Sequence, residues 1–107
     1  MISCKFVKKD KLYKSFEING HALYAKKGKD IVCAAVSSVS QHTARVLEVE
    51  GAVVKIEEGY LKVERISKNE ISQRFVEELV VTLKDIEEQY PRYVKVDVRV
   101  EVSDDAH

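Results

Sequence analysis

The chain reads as an α/β (α+β) protein of order ββαββαβ, a mixed sheet packed by two helices. Three patterns predict this. Period-two alternation marks strands near both ends, with Val94, Val96, Val98, Val100 and Val102 on one face and Lys95, Asp97, Arg99 and Glu101 on the other. Helical spacing recurs over about 31–49 and again between Ser67 and Pro91. A hairpin signal at Glu58-Gly59 stands between the two helices. The 107 residues suit one domain, 1–107, with no internal repeat or linker.

Taken in order, Ile2, Cys4 and Phe6 alternate with Ser3 and Lys5 as a strand with one buried face. After a charged turn, Leu12, Lys14, Phe16 and Ile18 alternate with Tyr13, Ser15 and Glu17 in a second strand, which ends at Asn19-Gly20. Residues 20–29 hold two glycines and three lysines without a clean period, so a mobile loop is expected. Asp30 is a suitable N-cap for the first helix, because its carboxylate can accept from the amide at Cys33 or its neighbour. Val32, Ala35, Val36, Val39, Thr43, Val46 and Leu47 outline that helix's core face. Val53–Glu57 and Leu61–Ile66 form the hairpin. Ser67-Lys68-Asn69-Glu70 has capping-box spacing and opens the second helix, whose stripe is Ile71, Phe75, Leu79, Leu83 and Ile86. Pro91 stops it. The tail from Ser103 to His107 is expected to fray.

Composition narrows the function classes. Eighteen basic side chains balance eighteen acidic ones, which disfavours strong nucleic-acid binding. There is no signal-peptide pattern and no apolar run of membrane-spanning length, so the cytoplasm is expected and no membrane partner. Two cysteines, Cys4 and Cys33, make no disulfide framework. No cofactor is expected: Gly28-Lys29-Asp30 lacks the other glycines of a phosphate loop, and His21, Cys33 and His42 lack metal-ligand spacing.

Chemistry concentrates between His21 and Cys33. The thiol falls in the first helical turn, where the partial positive charge of the helix start favours thiolate. An imidazole on the preceding loop can take up and return a proton near neutrality, and first-turn amides, including that of Cys33, are candidate oxyanion donors. Gly20 and Gly28 are possible hinges or simply turn residues. By residue type alone, Cys33 is more often a packing residue and His21 a surface one.

The run Gly20-His21, a glycine-containing loop, then Asp30-Ile31-Val32-Cys33-Ala34-Ala35-Val36-Ser37 resembles the bacterial ribosomal-processing cysteine proteases, the Prp or YsxB-like family. The resemblance extends over essentially the whole chain. It implies a Cys33–His21 catalytic dyad supported by Gly20, Asp30 and Ser37. It also implies a homodimer that removes the N-terminal extension of large-subunit ribosomal protein twenty-seven, cutting after a bulky aromatic residue. The rivals are a non-enzymatic ribosome-associated binding module using the lysine-rich loop, and a redox-sensing thiol protein.

Overall fold

The structure, a computed structural model, describes residues 1–26 and 28–102. Its elements are β1 (Ile2–Lys9), β2 (Leu12–Gly20), α1 (Ile31–Val49), β3 (Val53–Glu57), β4 (Tyr60–Glu64), α2 (Glu70–Gln89) and β5 (Val94–Glu101). The five strands form one sheet in the order β3-β4-β2-β1-β5. Only β5 runs parallel to its neighbour, β1; the other pairs are antiparallel. The mixed ββαββαβ arrangement is the one expected. The frayed tail expected at 103–107 lies outside the described residues.

Register explains which face is dry. Cys4 lies between Ile18 and Val96, and Phe6 between Phe16 and Val98, while Phe16 also pairs with Val63 of β4. These side chains join Val32, Val36, Val76 and Leu79 from the helices in one buried cluster. Phe6 and Phe16 stack at 5.1 Å and are almost wholly enclosed. Burying each is worth roughly 1.5–3 kcal/mol against leaving it in water.

The β1–β2 connection is a two-residue turn at Asp10 and Lys11, both with positive φ (53° and 68°). That twist matches the twist of the flanking strands, which is why such turns close tight hairpins. A bulge between Val7 and Lys8 shifts the register, so Lys8 faces Tyr13 and Lys14 is passed over. One extra residue reverses the inward face. Tyr13 is therefore buried and Leu12 only half-buried, the opposite of the simple alternation.

Three other sequence expectations shift. In α1, Ala35 is exposed, whereas Ser40 and Ala44 join Val32, Val36, Thr43 and Leu47 on the buried side. In α2 the N-cap is Asn69, whose side chain accepts from the Ser72 amide at 2.8 Å; the Ser67 hydroxyl instead accepts from the Asn69 amide. Gln73 ties this helix to β2 through the Tyr13 amide and carbonyl, and also donates to the Ser67 carbonyl. That clamp sets the helix rotation, turning Ser72 and Val76 inward and leaving Ile71 exposed. In β5, Val94 and Val96 are buried but Val100 is exposed, as is Val102 just past the end of the strand. Val100 pairs with Lys8 at the sheet corner near the Asp10–Lys11 turn, beyond helix cover.

Candidate active site

Three connections meet at one end of the sheet. The β2 strand delivers His21 just past Gly20, α1 starts at Ile31, and the β3–β4 turn folds alongside. The Gly20 amide donates to the Gly59 carbonyl at 2.9 Å, locking the end of β2 to that turn. Gly20 has φ +103°, and a Cβ there would fall on the Met1 carbonyl oxygen. Its role is thus steric, and the hinge reading does not suit so crowded a position.

The loop is irregular, as expected, but it is anchored at several points. Ala22 is buried. The Tyr24 ring meets Tyr90 and Tyr93 edge-on, at 5.5 and 5.2 Å. Asp30 holds the rest. Its Oδ1 accepts from the Cys33 amide at 2.9 Å, capping α1, and its Oδ2 accepts from the Tyr24 amide at 3.1 Å. Desolvation, the largest single influence, works against its charge, but the backbone N–H groups around it together outweigh this and hold the carboxyl below its ordinary range. Both oxygens of the carboxylate are thus engaged by the backbone of the loop and the helix start.

The depressed value has a consequence for stability. The contribution of Asp30 is complete above the ordinary carboxylate range and is lost as pH falls through the lowered native value. Asp30→Ala is expected to destabilise the protein by about 1 kcal/mol at neutral pH, as loss of an N-cap does. Thermal melts of the two proteins should converge under strongly acid conditions. A gap that persists there would mean the carboxylate's charge is not what stabilises the helix start.

A cavity of about 530 Å³ opens between α1 and the β3–β4 turn. All five residues singled out in the sequence (Gly20, His21, Asp30, Cys33 and Ser37) line it. Cys33 is half-buried and His21 exposed, so thiol and imidazole both face space that a second chain can enter. Ile18, Val36 and Leu61 form buried apolar wall, and Leu23 stands 77% exposed at φ +58° on the loop side. His42 is exposed on α1, and among the described residues no three His, Cys, Asp or Glu side chains converge as metal ligands would. Among the described residues, no helix is long and apolar enough to cross a membrane.

One expectation is narrowed. Two amides of the helix start are already used: Cys33 donates to the Asp30 carboxylate at 2.9 Å, and Ala34 donates to the Asp30 carbonyl at 3.0 Å. The cap that starts the helix takes the Cys33 amide, the one donor the sequence named for an oxyanion. Other site features escaped the sequence reading. A Cβ on Gly59 would lie 2.6 Å from His21 Nε2, so this glycine is the seat of the imidazole. Its only sequence signal was its place in a turn. Gln41 also lines the cavity and donates to the Ser37 hydroxyl at 3.0 Å, a pair whose i, i+4 spacing was visible.

An apolar cleft that presents a thiol at a helix start and an imidazole from the adjoining loop is equipment of the thiol-dependent hydrolases. The sequence profile of the cysteine protease Prp family matches residues 1–95, and the chain belongs to that family. It is a cysteine protease. Comparison with curated proteins finds no match. Among solved structures it is similar to the SMU.848 protein of Streptococcus mutans, with 28% identity and TM-score 0.80 over 94% of this chain and 96% of that one. The fold is also that of the essential ribosomal processing protease Prp of S. aureus in complex with a covalently linked product peptide. There the identity is 22% and the TM-score 0.86, over 92% of this chain and all of the other. A second S. aureus Prp structure, with a substrate peptide, matches at 21% identity and TM-score 0.80 over the same shares.

Proposed function

We propose that this chain is a ribosomal-processing endopeptidase, a single domain of 107 residues that acts in the cytoplasm and removes the N-terminal extension of large-subunit ribosomal protein twenty-seven. The observation that carries this reading is the shared cavity of His21 and Cys33 in a chain of the Prp family. The processing role named for the S. aureus relatives supports the substrate class. A cleft walled by Ile18, Val36, Leu61 and Leu23 suits a bulky aromatic side chain beside the thiol.

In this reading His21 takes the Cys33 proton and the sulfur adds to the scissile carbonyl, forming an S–C bond as the π pair moves to oxygen. Collapse breaks the C–N bond, and the imidazolium returns the proton to the leaving amine. Water, deprotonated by the same imidazole, then adds to the acyl carbonyl; the C–S bond breaks as the acid leaves, and the imidazolium returns its proton to the sulfur. Gly20 and Gly59 set the ring, while Asp30 sets the helix start that carries the sulfur. The same reading includes a homodimer, and the exposed Val100 and Val102 offer apolar surface that a second copy would cover.

The test is a synthetic peptide spanning such an extension, incubated with the purified protein and resolved by mass spectrometry. One cut, directly after the aromatic residue, is expected. A peptide left whole by folded protein, or cut at unrelated positions, overturns the assignment.

A further inference from the structure

Addition of sulfur to a carbonyl creates an oxyanion, and donors aimed at it usually supply a large share of the rate. Of the amides at the helix start that line the cavity, Cys33 and Ala34 are committed to Asp30, so a donor from elsewhere is called for. Ser37 stands one turn after Cys33 on the same cavity wall. Side chains four apart on a helix have Cβ atoms about 5–6 Å apart and lean toward the helix N-terminus, so the Ser37 hydroxyl leans back toward the sulfur.

A helical serine commonly donates its proton to the carbonyl four residues before it. Ser37 does not. Among the described residues its hydroxyl makes one hydrogen bond, as acceptor, from Gln41 Nε2 at 3.0 Å. An oxygen that accepts from an amide N–H keeps its own proton to give. Ser37 is half-buried and Gln41, a further turn along, lines the same cavity.

We propose that Gln41 is a positioning residue that fixes Ser37 as a donor, and that the Ser37 O–H hydrogen-bonds the oxyanion formed when Cys33 adds to the scissile carbonyl. This rests on the Cys33–His21 reading above. No proton leaves Ser37: the hydroxyl stabilises the developing charge, and the imidazolium supplies the proton to the amine. Leucine at 41 would release the hydroxyl to turn back to the Cys33 carbonyl. Glutamate at 41 would reverse the bond, since a carboxylate only accepts and would draw the Ser37 proton away from the cleft.

The experiment measures kcat and KM on the extension peptide for Ser37→Ala, Gln41→Leu, Gln41→Glu and the double variant Ser37→Ala/Gln41→Leu, with far-UV circular dichroism on each. Ser37→Ala is expected to lose kcat by about 10²–10³-fold with little change in KM. Gln41→Leu should lose about tenfold in kcat and Gln41→Glu more than that, because its bond is reversed and not merely absent. The double variant should be no slower than Ser37→Ala alone, since both changes remove one interaction. Full kcat in the two Gln41 variants, or a leucine effect that persists without Ser37, overturns this proposal while the peptidase stands. A parent protein that leaves the peptide whole overturns both.

Discussion

Replacing Cys33 with alanine is expected to abolish peptide cleavage, a loss greater than about 10³-fold, because it removes the nucleophile that forms the acyl-enzyme. His21→Ala should cost about 10²–10⁴-fold, the usual worth of general acid–base catalysis. The double variant should be no worse than Cys33→Ala, since nucleophile and base act as a unit. The second cysteine provides an internal control. Cys4 lies on β1 in the core with no exposed surface. Burial first, and then the negative charge of Glu87, push its thiol up to about 12, so it stays protonated throughout the working range. Iodoacetamide should therefore add one equivalent to the folded protein, at Cys33, and inactivate it. Cleavage that survives either the alanine or the alkylation would remove Cys33 from the mechanism.

A large effect is also expected from Gly59→Ala, a residue that does no chemistry. The added methyl carbon would sit 2.6 Å from His21 Nε2 and 3.0 Å from Cε1. The atoms in the way belong to the end of a flexible, exposed side chain, so the fold accommodates the methyl by moving the ring. A base displaced by about 1 Å loses on the order of 10²-fold in kcat/KM. The backbone cost is smaller: alanine at φ +68° gives up about 1 kcal/mol, which lowers the melting temperature by about 4 °C. Rates measured well below the melting temperature separate the two effects. Gly20→Ala is the contrast, because its methyl would meet the Met1 backbone, which cannot swing aside. There stability should fall with activity. Undiminished cleavage by Gly59→Ala would show that the ring works from a different position.

The two expectations describe unlike kinds of legibility. Cys33, His21 and Asp30 stood out because helix starts are local events. A carboxylate three residues before an amide caps it wherever the segment folds, and the thiol's place in the first turn follows. The strands likewise showed themselves through alternation. Gln41 and Ser37 were within reach of the same reasoning, being one turn apart. The bond between them matters only once the neighbouring amides are seen to be spent.

Elsewhere the tertiary structure overruled local pattern. The bulge opposite Lys14 turned Tyr13 inward and Leu12 out, and the Gln73 clamp rotated α2 so that Ser72 displaced Ile71 from the core. The exposure of Val100 came from the end of helix cover, which a perfect alternation of valines cannot reveal. The meeting of His21 with Gly59 depends on β4 pairing with β2, so that two turns distant in sequence lie side by side.

By itself, then, the sequence determined the succession of elements, the helix that carries the thiol and the loop that carries the imidazole. Capping and periodicity are settled by neighbours along the chain. Strand order, sheet register and helix rotation decided which glycine seats the ring, which amides are already occupied and which hydroxyl is left to donate. Those depend on contacts between segments, where the closest approach of two backbones outweighs any local preference.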